Sequence, residues 1–170
     1  MKATNIKPKI LISACLLGNQ VRYNGTGLLL EHPLIKKWQE ENRLVAVCPE
    51  VAGGMTVPRA PAEIIGGNAE AVLLNRAMVM DNTGKNVSAE FIQGARQALA
   101  LARENNCVAA ILTERSPSCA SHYIYDGNFT GKKISGMGIT SFLLEQNDIK
   151  VFNQEQLEQL AVFLASPRFN

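Results

Sequence analysis

The chain has 170 residues, of which 46% are hydrophobic and 19% charged. That length suits a single domain, residues 1–170, with a core large enough to need no disulfides, and the composition is globular rather than disordered. The net charge of +2 is too small to mark a stand-alone nucleic-acid or anionic-membrane binder, and no run approaches the roughly 20 apolar residues of a membrane span.

In chain order, Lys2, Lys7 and Lys9 come ahead of an apolar run in which Ile12-Ser13-Ala14-Cys15 has the form of a lipoprotein cleavage box. Only Ile10 to Ser13 would serve as the hydrophobic stretch before cleavage, against the roughly 7–15 residues of an export signal, and Pro8 interrupts the approach. The segment is therefore read as structure and the compartment as cytoplasm. Four cysteines in that setting are thiols or ligands rather than disulfide partners.

Residues 9–14 (KILISA), 44–47 (LVAV), 108–112 (VAAIL) and 149–152 (IKVF) read as buried strands. His32 enters a helix with Pro33 at its first position, Leu34, Ile35 and Trp38 on one face and an end near Asn42. Ser88 is placed to cap a longer helix whose buried stripe is Phe91, Ile92, Ala95, Ala98, Leu99 and Ala102. Two further helices follow from Ile139, Phe142 and Leu143 and from Leu157, Leu160, Ala161 and Leu164. Strand alternating with helix predicts an α/β domain, a parallel sheet flanked by helices; if its strand order is 2-1-3-4, the first three strands are neighbours. Residues 62–81 break the rhythm: Glu63-Ile64-Ile65, Ala71-Val72-Leu73-Leu74 and Met78-Val79-Met80 read as short strands, with Gly66-Gly67-Asn68 as a turn. That segment is an inserted hairpin or meander.

No CxxC pair is present and there are two histidines, so zinc-finger spacings are absent. Topology is more informative than spacing. Cys15 follows the first strand, Cys48 the second, and Cys119 lies in the loop after the third. All three belong to the carboxyl edge of a parallel sheet, where open α/β folds bind ligands. Neighbouring strands are about 4.8 Å apart, so three loops can bring three sulfurs around one site. Cys107 precedes the third strand and falls at the opposite edge, as a packing residue.

The loops at this edge are rich in turn formers and polar groups. Arg22 and Tyr23 follow Cys15, Glu50 follows Cys48 by two residues, Arg59 stands between Pro58 and Pro61, and Ser116 and Ser118 precede Cys119. Plain structural readings exist for each. Glu50 would cap a turn, Arg59 would pair with Glu63, His122 would be a solvated loop residue, and the serines would satisfy backbone groups. On the pattern alone, a metal site and a set of packing thiols both stay open.

Residues 13–25 (SACLLGNQVRYNG), 48–63 (CPEVAGGMTVPRAPAE), 114–119 (ERSPSC) and 125–140 (YDGNFTGKKISGMGIT) resemble, in order and along nearly the whole chain, the bacterial family that includes 2-thiouracil desulfidase. The resemblance implies a Rossmann-like domain with a [4Fe–4S] cluster on Cys15, Cys48 and Cys119, its fourth iron taking the sulfur of the substrate. It also implies catalytic roles for Glu50 and for Ser116 or, second to it, Ser118. The chain departs from the family pattern at Ala120, where glycine is usual, at Thr113, where lysine is frequent, and within RYNG and YDGNFTG. The ligand positions are intact.

The activity so implied is exchange of a thiocarbonyl sulfur for oxygen in a small thiolated pyrimidine, without net redox chemistry. Glu50 would activate water, Ser116 would relay a proton, and Arg22, Tyr23 or Arg59 would hold the ring. Rival readings are a thiol or zinc enzyme in the same pocket, a sulfide- or metal-binding module without turnover, and action on thiolated tRNA bases. The sequence leaves the oligomeric state open.

Overall fold

The computed structural model describes residues 6–169; Lys2 of the amino-terminal lysine group lies outside them. Four strands form the central sheet: β1 (Lys9–Ser13), β2 (Leu44–Val47), β5 (Cys107–Ile111) and β8 (Lys150–Phe152). Their order is β2-β1-β5-β8 and every neighbouring pair is parallel, as the alternation of apolar runs and amphipathic helices predicts.

The sheet is buried on both faces because its strands are apolar at consecutive positions. Ile10 and Ile12 of β1 face one way with Ala109 and Ile111 of β5, against Ile35 and Trp38 of α1 (Pro33–Glu40) and Leu157, Leu160 and Leu164 of α6 (Leu157–Leu164). Leu11 and Ala110 face the other way, against Ala98, Leu99 and Ala102 of α4 (Ser88–Glu104) and Leu144 of α5 (Ile139–Gln146). The result is three layers, helix on sheet on helix, of Rossmann-like form. The turns into β2, β5 and β8 pass through left-handed Asn42, Asn106 and Asp148, with φ of 54°, 54° and 61°, residue types that tolerate this region best after glycine.

The inserted segment differs from the sequence expectation. β3 (Ala62–Ile65) and β4 (Met78–Asp81) pair antiparallel, with Ile64 opposite Val79, but residues 71–74 are not a strand. They belong to α3 (Ala69–Leu73) and the residue after it, and Asn68 caps that helix by accepting a bond from the Ala71 N–H at 2.9 Å. A cap satisfied locally outweighs the strand-like look of a four-residue apolar run. Ser88 is not a cap either. It is the first helical residue of α4, and its hydroxyl instead accepts the Val79 N–H at 2.9 Å, tying the helix to β4. The first helix ends at Glu40, two residues short of Asn42.

Two elements near the site were not expected. Residues Pro49–Ala52 form a one-turn helix, α2, entered from Cys48 with Pro49 at its first position. β6 (Tyr123–Tyr125) and β7 (Lys133–Ser135) pair antiparallel, and Glu63 of β3 ties this hairpin down by accepting from the Gly127 and Phe129 N–H groups. α2 lies directly on α4: a Cβ at Gly53 would collide with the Glu90 carbonyl, and one at Gly94 with the Pro49 carbonyl. Backbone contact of that closeness requires glycine on both sides.

Candidate active site

The carboxyl ends of β1, β2 and β5 open onto one cavity of about 450 Å3. Ser13↔Val47 and Ile12↔Ile111 are the last paired positions of these strands, so the chain emerges from all three at the same level. Cys15 sits in a 3-10 turn just after β1, Cys48 directly after β2, and Cys119 in the loop beyond β5; all three are free thiols and all three line the cavity. Cys107, the first residue of β5 opposite Lys9, lies at the other end of the sheet, buried in the core on the α4 and α5 side.

Each sulfur has its own polar surroundings. Thr113 Oγ1 is 3.0 Å from Cys15 Sγ, and Ser13 Oγ donates to Cys119 Sγ at 3.8 Å. Cys48 Sγ donates to the Val21 carbonyl at 3.8 Å; the backbone N–H groups of Val51 and Glu50 draw its pKa down but make no capping hydrogen bond to it. Burial pushes the Cys119 thiol far up, and Glu50, Cys48 and Cys15 push it the same way. Burial also raises Cys48, with Glu50 adding to the effect and the backbone donors and Arg59 opposing it. Three crowded thiols beside a carboxylate cannot all ionise unless a cation compensates them.

Glu50 shares the cavity lining with Glu63, Glu114 and Glu155, and its side chain is 17% exposed. Burial raises its pKa, and the Arg59 guanidinium draws it back in part. Arg59 Nη2 bonds Glu50 Oε2 at 3.2 Å and the Val21 carbonyl at 3.0 Å, while Nη1 bonds the Thr56 carbonyl. Its partner is thus Glu50, not Glu63. Arg59 Nε is buried without a hydrogen-bond partner. Arg22 and Tyr23 line the same cavity, Tyr23 43% exposed.

The two serines diverge. Ser116 lines the cavity, and its Oγ accepts the N–H groups of Ser118 and Cys119 at 3.0 and 3.3 Å, holding the Cys119 turn. Ser118 is 1% exposed and exchanges its hydrogen bond with Thr140 at 2.9 Å, away from the cavity lining.

Glu114 escapes a reading of the sequence. Its carboxylate accepts the backbone N–H groups of Ser121, His122 and Tyr123, the Ser121 hydroxyl and the Asn153 amide. Burial works to raise its pKa, but these donors outweigh it and hold the group down at about 2. His122, half exposed, is therefore part of a bonded loop with Glu114 Oε2 3.5 Å from its Nδ1. A lone glutamate in ERSPSC carries no signal of this, because its partners come from the following loop and from beyond β8.

The donor set fits an iron–sulfur cluster. Among the described residues no three His, Cys, Asp or Glu side chains converge on a single metal ion; the three cysteines line one cavity, and a cluster takes each thiolate on a different iron. Thiolates are the ligands such clusters use.

Comparison with known proteins agrees with this chemistry. The family model described as 2-thiouracil desulfurase matches residues 10–156. The chain is 44% identical over 151 residues to the uncharacterized protein YbbK of Bacillus subtilis (strain 168), a match covering 89% of this chain and 99% of that one. It also superposes on the solved structure of the [4Fe-4S]-dependent thiouracil desulfidase TudS with a TM-score of 0.85 and 42% identity, covering 94% of this chain and 99% of the other. No helix among the described residues is long and apolar enough to cross a membrane. A match spanning the sheet and all three cysteine loops places the chain in the 2-thiouracil desulfurase family.

Proposed function

We propose that the chain holds a [4Fe–4S] cluster on Cys15, Cys48 and Cys119 and replaces the thiocarbonyl sulfur of 2-thiouracil, or a related thiolated pyrimidine, with oxygen. The observation that carries this reading is the meeting of three free thiols from three strand ends in one cavity beside a clamped carboxylate. When bound, the cluster supplies an iron without a protein ligand, a soft Lewis acid suited to a thiocarbonyl sulfur.

The remaining chemistry belongs to the chain. Glu50 takes a proton from the attacking water; Arg59 fixes its Oε2 and leaves Oε1 for that water. With its Nη groups committed to Glu50, Val21 and Thr56, Arg59 is the clamp for the base, and Arg22 and Tyr23 hold the ring at the rim. Ser116 uses its oxygen to accept two N–H groups, so its hydroxyl hydrogen is directed to the cavity, where it passes a proton to the departing sulfur. Ser118, bonded to Thr140, has the structural task. One C–S bond breaks, one C–O bond forms, and both protons of the water leave with the sulfide. No electron is gained or lost.

The test is anaerobic purification with iron and sulfide analysis, a visible spectrum, and chromatographic assay of 2-thiouracil turnover. The loaded protein shows the broad visible band of a cluster and forms uracil, while Glu50→Ala keeps the band and loses about 10²–10⁴-fold in rate. A colourless, iron-free wild type overturns the cofactor assignment. Undiminished turnover by Glu50→Ala overturns the choice of base.

A further inference from the structure

Ser13 at the end of β1 and Thr113 just beyond the end of β5 are 100 residues apart in sequence, yet they are joined by a hydrogen bond. The Thr113 N–H donates to Ser13 Oγ at 3.0 Å, and the two hydroxyls reach the sulfurs of Cys119 and Cys15. We infer that Ser13 and Thr113 form a hydroxyl brace that donates hydrogen bonds to two of the three cluster ligands, setting their positions and the reduction potential of the cluster they hold.

The direction of both bonds follows from proton count. Ser13 Oγ accepts from Thr113, is 3% exposed, and has its one hydrogen left for Cys119. A cysteine that ligates iron is a thiolate with no hydrogen to give, so in the loaded protein Thr113 is the donor of the 3.0 Å contact to Cys15. Cys48 differs: its sulfur has no side-chain hydroxyl against it and lies 3.8 Å from the Val21 carbonyl. Two of the three prospective ligands thus have a hydroxyl donor, and the two donors are members of one connected unit.

Hydrogen bonds to ligand sulfurs withdraw negative charge from them and favour the reduced, more negative cluster. Removing one therefore moves the potential in the negative direction. Ser13 and Thr113 are positioning residues, since neither needs to touch the substrate.

The inference rests on the cluster assigned above, so the experiment starts from loading. Wild type, Thr113→Val, Thr113→Ser and Ser13→Ala are reconstituted anaerobically and assayed for iron and sulfide. Each loaded protein is then titrated for its midpoint potential and examined by resonance Raman spectroscopy in H2O and D2O. The expected result is a more negative potential in Thr113→Val and Ser13→Ala. Their iron–cysteine stretching bands move to higher frequency with a smaller deuterium shift, and Thr113→Ser returns wild-type values.

Thr113→Val is the decisive variant, because it keeps the backbone N–H that Ser13 needs and nearly the same volume. Failure of Thr113→Val to load while Thr113→Ser loads fully supports the positioning role. Equal potentials and spectra in fully loaded wild type and Thr113→Val overturn the brace and leave the cofactor assignment standing. Failure of the wild type to take up a cluster overturns that assignment, and the brace with it.

Discussion

Cys107 and Cys119 stand at opposite ends of the same βα unit and are buried almost equally, 7% and 6% exposed. Burial raises both thiols, Cys107 to about 11 and Cys119 further. Their neighbours separate them. Among the described residues the one charge acting on Cys107 is Lys9, which draws its pKa down, whereas Cys119 faces Glu50, Cys48 and Cys15, all of which drive it up. A thiol among apolar side chains is content as a thiol. One surrounded by other prospective anions gives up its proton only when a bound cation compensates the charge. Depth of burial therefore says little about which cysteine does chemistry; the sign of what lies around it says a great deal.

The sharpest way to break that comparison is to remove one sulfur at a time. Cys15→Ser, Cys48→Ser and Cys119→Ser are each expected to lose the cluster and with it turnover, read as iron per chain after anaerobic reconstitution. Full iron content in any of the three would sink its assignment as a ligand.

A smaller effect is expected at Gly94, which is outside the cavity lining but packs against Pro49, which belongs to it. Helix propensity alone predicts that Gly94→Ala stabilises α4 by about 1 kcal/mol. The new methyl group would meet the Pro49 carbonyl, however, and push α2 with Cys48 and Glu50 off the helix. Overpacking of this kind costs about 1–3 kcal/mol, so steric repulsion wins. Chemical denaturation should show a net loss of stability, and cluster retention should fall with it. A gain in stability would show that α2 is free to move without cost.

Glu114, also in the cavity lining, holds the loop that follows Cys119, and its effect is set by pH. Its folded pKa of about 2 lies below its ordinary value of 4.5. Its stabilising contribution is thus fully present above about pH 4.5 and lost as pH falls from there towards 2. Glu114→Ala leaves the N–H groups of Ser121, His122 and Tyr123 without their acceptor, a loss of about 2 kcal/mol at neutral pH. The difference in denaturation midpoint between wild type and variant should shrink on acidification across that window. A difference that stays constant with pH would assign the loss to packing.

The features that place the site were legible because they are local. Consecutive apolar residues in 9–14 and 108–112 announce strands buried on both faces, and the cysteine positions follow from where those runs stop. Residues 71–74 were misread because Ala-Val-Leu-Leu has no period of its own, and the deciding bond belongs to Asn68 outside the run. α2 carried a readable signal, Pro49 at a first helical position after Cys48, but one turn of helix is too short for periodicity to reveal. Glu63, Ser13 and Thr113 were illegible for a different reason. Their partners lie across the fold, 64 residues away for Glu63 to Gly127 and 100 for Ser13 to Thr113, and no spacing rule reaches that far. Arg59 shows the same limit in miniature, since Glu63 is nearer in sequence than Glu50 and the ion pair chose Glu50.

The smallest effect is expected where the comparison began. Cys107→Ser puts a hydroxyl into the apolar cluster formed by Leu99, Ala102, Ala110, Ile149 and Val151, at a cost of about 1–2 kcal/mol if the hydroxyl finds no partner. Cys107→Ala removes the sulfur and leaves a small void, at a cost of about 1 kcal/mol. Both variants should keep wild-type iron content and turnover while their denaturation midpoints fall in that order. Loss of iron in either would mean that the amino end of β5 communicates with the cluster through the strand, and the division of the four cysteines into three ligands and one packing residue would have to be redrawn.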